Sequence, residues 1–297
     1  MSAPPQKVTH PVDTLAPKVA LSAMLASHAA AVAVAGDALE PIAKGARLMA
    51  NGVARGARLH FAAAGSSGLM ALADACELHG TFGIASSQIA IHMAGGVPVD
   101  GIIPGETDDN TEDAIRDASS LAPEDVAIVV SASGTTPYAI AFAQTARARG
   151  GRVIGIANVA GSALLDLADV AVALPTQPEI LAGSTRLGAG TVQKVALNMM
   201  STQMGILLGH VHDGLMVNFR PENTKLRKRA VDIVRQISAA SQSEAERALQ
   251  DTDCRTKAAV LVARGIPKET ALALLDRHKG RLRACLADPD AIVAKKG

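Results

Sequence analysis

The chain has 297 residues, with 29 Lys and Arg against 28 Asp and Glu, so its formal charge is +1 and nothing in that balance suits a nucleic-acid or acidic-membrane surface. Apolar residues make up 48% and charged residues 19%, which excludes a disordered chain, while aromatics at 2% supply neither base-stacking platforms nor aromatic sugar-binding walls. Cys76, Cys254 and Cys285 are odd in number and widely spaced, giving neither a disulfide framework nor a zinc-type pair, and they fit a reducing cytoplasm.

Residues 1–14, with their prolines and polar side chains, read as a flexible lead without an export signal. Val19 to Gly36 is uncharged and about as long as a minimal membrane span. It is mostly alanine, interrupted by Ser22, Ser27 and His28, and alanine gains little from lipid. The stretch therefore predicts a long helix buried against the body of the protein or a second subunit, continued from Asp37 to Asn51. Leu59 to Gly65 is a short apolar strand ending in glycine, and SSGLMALADACELHG after it has helical spacing.

The same unit recurs. EDVAIVVSASG carries a buried strand that ends at Ser131, and a helix follows from Thr136 to the stops at Gly150 and Gly151. RVIGIAN is strand-like, SALLDLAD helical, and VAVALPT another short strand. Such alternation predicts an α/β fold with a mostly parallel sheet covered by helices on both faces, and functional loops at the carboxyl ends of its strands. After about residue 235 the strand signals stop, and SQSEAERALQ, CRTKAAVLVARG, PKETALALLDRHKG and RLRACLA read as three or four short helices. The expected division is a lead at 1–14, a ligand-binding domain at 15–235 and a small helical domain at 236–297.

Two turns carry the chemistry. Gly65-Ser66-Ser67-Gly68 and Ser131-Ala132-Ser133-Gly134-Thr135-Thr136 both set hydroxyls and glycines between a strand and the first turn of a helix. Glycine lets the backbone approach closely, unpaired amides and the helix dipole favour an anion, and hydroxyls add donors without charge. Neither turn has the lysine of a Walker motif or the glycine spacing of a dinucleotide fold. Either alone would serve as ordinary helix capping, but two in successive units point to a mononucleotide or phosphosugar. His210, His212 and Asp213 form an H-x-H-D cluster with no third ligand group at familiar spacing, so no metal site is expected there.

The paired turns resemble the sugar isomerase (SIS) domain, whose Ser/Thr loops bind phosphosugars. The segments PEILAGSTRLGAGTVQKVALNMMST (Pro178 to Thr202) and GLMVNFRPENTKLRKRA (Gly214 to Ala230) resemble the N-acetylmuramic acid 6-phosphate etherase family over roughly residues 45 to 290. The resemblance implies a three-layer α/β/α sandwich forming a homodimer, a helical tail like a ubiquitin-associated domain, and cleavage of the lactyl ether of a phosphorylated aminosugar without metal or cofactor. In the ring-opened sugar, C2 lies beside the C1 aldehyde, so a carboxylate base can take its proton while a carboxylic acid protonates the departing lactyl oxygen. Water then adds to the unsaturated aldehyde. An isomerase on another sugar phosphate and a non-catalytic phosphosugar-binding regulator are the alternatives.

Carried over residue by residue, the resemblance makes Glu77, in Asp74-Ala75-Cys76-Glu77, the acid. Ser66, Ser67 and Gly68, together with Ser131, Ser133, Thr135 and Thr136, bind phosphate and sugar, and Glu179, Ser184, Arg186 and Lys194 match the long motif. The base is less well placed: Pro104-Gly105-Glu106-Thr107-Asp108-Asp109 puts Thr107 where the family has a carboxylate. Glu106 or Asp108 takes over if the loop shifts by one residue, a displacement of about 3 Å. Leu69, Thr135 and Gly188 stand where the family usually has cations, and Arg186, Lys194, Arg220 and Lys225 are candidates to compensate. His79 is read as a neighbour that orients a carboxylate, and Asn158 as a ligand contact or a turn.

Overall fold

A computed structural model describes residues 11–293; of the expected lead, residues 1–10 lie outside the described residues and Val12–Thr14 forms one 3-10 turn. Helix α1 (Pro17–Ala33) opens on a proline, whose missing amide hydrogen costs nothing at a helix start. A 3-10 segment (Val34–Ala38) leads into α2 (Leu39–Ala54). The 38 residues Pro17–Ala54 are long and apolar enough to cross a membrane by length and composition alone. The two halves differ: Val19, Leu21 and Leu25 are exposed, whereas Ile42, Ala46 and Met49 of α2 are buried. The burial expected for the alanine-rich stretch is thus met by α2 and not, within one chain, by α1.

The elements then alternate as β1 (Leu59–Ala63), α3 (Gly65–Phe82), β2 (Ile89–Met93), α4 (Thr111–Ala118), β3 (Val126–Ser131), α5 (Pro137–Ala148), β4 (Arg152–Ala157), α6 (Ala163–Leu167) and β5 (Val170–Ala173), before α7 (Gly188–Leu207). All five strands are parallel, in the order β2-β1-β3-β4-β5. On one face Ala62, Ala127, Val129 and Val153 pack with Ala114 and Ala118 of α4, Tyr138 and Phe142 of α5, and Leu164 of α6; α2 packs on the other face. Continuous burial along β1 and β3 is what a parallel sheet covered on both sides demands.

The chain forms two compact units. The first holds residues up to Ala75 and Ser87–Ser201; the second holds Cys76–Ser86 and residues from Thr202 onward. The second contains a short antiparallel pair, β6 (Val211–His212) and β7 (Leu215–Met216), then α8 (Thr224–Ser238), α9 (Gln242–Asp251), α10 (Thr256–Ala263), α11 (Lys268–Arg277), α12 (Leu282–Ala287) and α13 (Pro289–Val293). Its core joins Val217, Phe219, Ala230, Ile233 and Val234 to Leu249, Val260, Leu261, Leu274 and Leu282. The helical unit therefore begins well before residue 235, because the apolar face of α8 is buried against the helices that follow it.

Candidate functional site

The two turns leave adjacent strands. Ala63 at the end of β1 pairs with Val130 of β3, so Gly65–Gly68 and Ser131–Thr136 emerge side by side at the carboxyl edge of the sheet. Gly65 starts α3 with φ +55, a left-handed conformation that glycine adopts without strain. Ser66 and Ser67 lie in the first turn of α3, with no hydrogen-bond partner for either hydroxyl among the described residues. Gly68 has a packing role: a β-carbon there would lie 2.9 Å from Met93 Cγ.

The second turn is a hydroxyl network. Ser131 Oγ accepts from the Gly134 amide at 3.0 Å and lies 2.8 Å from Thr136 Oγ1. Ser133 Oγ accepts from the Thr135 amide at 3.2 Å and from Thr135 Oγ1 at 3.1 Å. Gly134, at φ +68, has no room for a side chain, since a β-carbon would meet Ser162 Oγ at 2.0 Å. Thr136 precedes Pro137 and makes no side-chain cap, so its hydroxyl stays within the network.

The loop after β2 places the two candidate carboxylates differently. Glu106 is exposed. Asp108 is half-buried, with its Oδ2 3.7 Å from the place a β-carbon would take on Gly65, and its carbonyl oxygen accepts the Tyr138 amide at 3.0 Å. It thus lies beside both turns. Burial, and then the neighbouring Asp109, push its carboxyl above the ordinary aspartate range. Thr107 donates its hydroxyl to the Pro104 carbonyl.

The long-motif residues separate into structural and free groups. Glu179 closes the start of α7, accepting the amides of Gly188 at 2.9 Å and Ala189 at 2.8 Å; its carboxylate fills that anion position itself. A β-carbon on Gly188 would stand 3.2 Å from both Glu179 Oε2 and Ala31 Cβ, so glycine there lets the carboxylate dock. Ser184 forms a turn through its backbone to Leu181 and Leu187. Lys194 donates to Asn198 Oδ1 at 2.6 Å, and Asn198 in turn donates to Asp74 Oδ1 at 2.6 Å, which ties α7 to α3. Arg186 is exposed, with no hydrogen bond or ion pair among the described residues. Asn158 is structural: it accepts from Gln193 and donates to the Leu174 carbonyl.

In the second unit, Glu77 is an exposed residue of α3, with no hydrogen bond among the described residues. It stands eleven residues after Ser66, about three helical turns along α3. His79 does not orient it: Nδ1 is 2.7 Å from the Ile84 carbonyl oxygen and Nε2 is 3.7 Å from Glu222. His210 approaches Asn218, and His212 approaches Asp213, which accepts from Arg283. Among the described residues no group of three or more His, Cys, Asp or Glu gathers to hold a metal ion.

One chain, buried at His60 and Asp125 and half-buried at His92, escaped the sequence reading. His60 of β1 lies 3.0 Å from His92 of β2 and 3.2 Å from Asp125, whose carboxylate also accepts the amides of Arg58 and Ala122. Burial lowers both histidines, His92 to about 4. A histidine inside an apolar strand is a weak signal, and its partner Asp125 lies 65 residues away in sequence.

Comparison with known proteins bears on the family and the fold. A family model described as the SIS domain matches residues 25–158. An N-acetylmuramic acid 6-phosphate etherase of Streptomyces avermitilis is 41% identical over 84% of this chain and 85% of its own length. The etherases of Deinococcus radiodurans (35% identical; 95% of this chain, 93% of the relative) and Burkholderia lata (38%; 93% and 92%) match across nearly the whole length. Among solved structures, E. coli CFT073 c3406 in complex with A5P shares the fold, with a TM-score of 0.50 and 17% identity over 67% of this chain and 97% of that one.

Proposed function

The chain belongs to the N-acetylmuramic acid 6-phosphate etherase family, and from that premise we propose that it is a carbon–oxygen lyase releasing lactate from N-acetylmuramic acid 6-phosphate and leaving N-acetylglucosamine 6-phosphate. The observation that carries the reading is the side-by-side pair of hydroxyl-bearing turns with Asp108 beside both. The phosphate sits on the first amides of α3 and on the serine and threonine hydroxyls, donors that grip a dianion at a helix start. Arg186 supplies charge in place of the missing family cations.

Asp108 then takes the proton from C2 of the open-chain sugar. Its elevated pKa suits a base, since proton transfer is most effective when the base's pKa approaches the working pH. The C3–oxygen bond breaks, Glu77 protonates the departing lactyl oxygen, and water adds to C3 of the unsaturated aldehyde. Glu77 enters as the acid by its match to the family motif. The proposed chemistry asks for two carboxyls and for no metal or cofactor.

We also assign the working form as a cytoplasmic homodimer. The exposed Val19, Leu21 and Leu25 of α1 support it, because a second copy would remove them from water at roughly 25 cal/mol per Å2 of apolar surface. The burial of Ile42 and Met49 in the second half of the same helical stretch speaks against a membrane span. An isomerase acting on another sugar phosphate is the alternative that the SIS domain leaves open. Incubation of the purified chain with N-acetylmuramic acid 6-phosphate, assayed for lactate, tests the proposal; absence of lactate would overturn it.

A further inference from the structure

The helical unit holds a cavity of about 620 Å3 that the proposed chemistry does not use, lined among others by Asn218, Arg220, Arg255, Thr256, Lys257 and Gly280. Part of its wall is the start of α10. No side chain caps that helix, and the amides of Thr256, Lys257 and Ala258 have no acceptor among the described residues. Orphan amides at a helix start need a partner.

Two buried side chains, Lys257 and Thr256, belong to the same wall. Lys257 is 6% exposed. Its amine donates to the Gly280 carbonyl at 2.8 Å, and among the described residues no carboxylate pairs with it. A buried cation without a counter-ion is costly, and burial holds this amine down to about 8. Thr256 is 3% exposed, and its hydroxyl oxygen, itself buried, has no hydrogen-bond partner among the described residues. Arg220 and Arg255 line the cavity with exposed side chains. Glu222 and Asp253 line it too, Glu222 lying 3.7 Å from His79.

We propose that this cavity is a second anion site for a small phosphate monoester, held by the α10 amides and the Lys257 ammonium, with Arg220 and Arg255 closing on the outer oxygens. A lysine, two arginines and free helix amides along one cavity suit a dianion better than a carboxylate, and guanidinium forks match phosphate oxygens. The volume exceeds what a bare ion fills and leaves room for an organic group. The site is independent of the turns at the sheet edge and of the etherase reading.

The test is NMR of the full chain with 13Cε-labelled lysine, following the titration midpoint of Lys257 with chloride, inorganic phosphate or glucose 6-phosphate at matched ionic strength. Lys257→Met assigns the signal. Phosphate and its ester are expected to raise the midpoint, and Arg255→Ala to demand about tenfold more ester for the same rise, the worth of one charge-assisted contact. Ser131→Ala, in the other unit, should leave the response intact. An unchanged midpoint, an equal response to sodium lactate, or an Arg255→Ala protein that responds like the parent would each overturn the proposal.

Discussion

The Asp108 carboxylate stands 3.7 Å from the point where Gly65 would carry a β-carbon, so the acidic loop after β2 reaches the glycine that opens the first hydroxyl-bearing turn. Since the Asp108 carbonyl also accepts the Tyr138 amide, one residue holds the loop beside both turns, which is the ground for proposing its carboxylate as the base.

Asp108→Asn should lower kcat by about 100- to 10,000-fold, the usual worth of a positioned base, with KM changing far less. Glu106→Gln, at an exposed position, should stay near the parent value. A base must be deprotonated to act, and Asp108 is shifted upward. The rate of the parent enzyme should therefore fall on acidification at a pH above the ordinary aspartate range. Steady-state kinetics of the three proteins across pH checks both points; equal losses in the two variants would remove Asp108 from the role.

Arg186→Ala should raise KM about tenfold or more, because the side chain has no partner among the described residues and its contact with an anion would be charge-assisted. Lys194→Ala should act differently. Its amine serves the Asn198 and Asp74 chain, so its loss should appear chiefly in the denaturation midpoint. A KM effect confined to Lys194→Ala would reverse the two assignments.

Gly134→Ala should destabilise the fold by roughly 2 kcal/mol or more. A β-carbon there would lie 2.0 Å from Ser162 Oγ and 2.4 Å from Ser162 Cβ, and φ +68 adds left-handed strain for any other residue. Urea unfolding of parent and variant measures it, and a midpoint equal to the parent would show that the turn relaxes freely.

Much of this arrangement was legible in the sequence, for definite reasons. Four strands announce themselves as short apolar runs, two of them ending in glycine or serine, and both turns show because Ser, Thr and Gly interrupt those two runs at the same place. The strand Ile89–Met93 does not, since it is half-buried at the edge of the sheet and its pattern includes His92. Glu179 matches a motif by type, but nothing local reveals that it closes a helix nine residues later. The choice between Glu106 and Asp108 depends on how the loop folds back onto Gly65, a tertiary contact that spacing does not encode. The early start of the helical unit is hidden likewise, because α8 looks like any amphipathic helix until its partners are known.

The buried histidine chain predicts an acid-sensitive fold. His92 titrates at about 4 when folded and near 6.5 when unfolded, so the unfolded chain binds more protons between those values. Stability conferred by the neutral ring is complete above about 6.5 and is lost as pH falls toward 4. The urea midpoint of the parent should drop through that window, and His92→Gln should flatten the dependence; identical slopes in the two proteins would place the sensitivity elsewhere.

If the proposed homodimer forms and supplies Glu77 to the turns of a second copy, Glu77→Gln and Asp108→Asn chains that are each inactive should recover lactate release when unfolded together and refolded as mixed dimers. No recovery would assign both carboxyls to one chain.

The most direct measurement is the reaction of N-acetylmuramic acid 6-phosphate in deuterated water with the parent protein and with Asp108→Asn. Lactate should appear together with N-acetylglucosamine 6-phosphate carrying deuterium at C2, and the variant should give neither. Lactate released without deuterium at C2, or undiminished by the substitution, would contradict a proton abstraction carried out by Asp108.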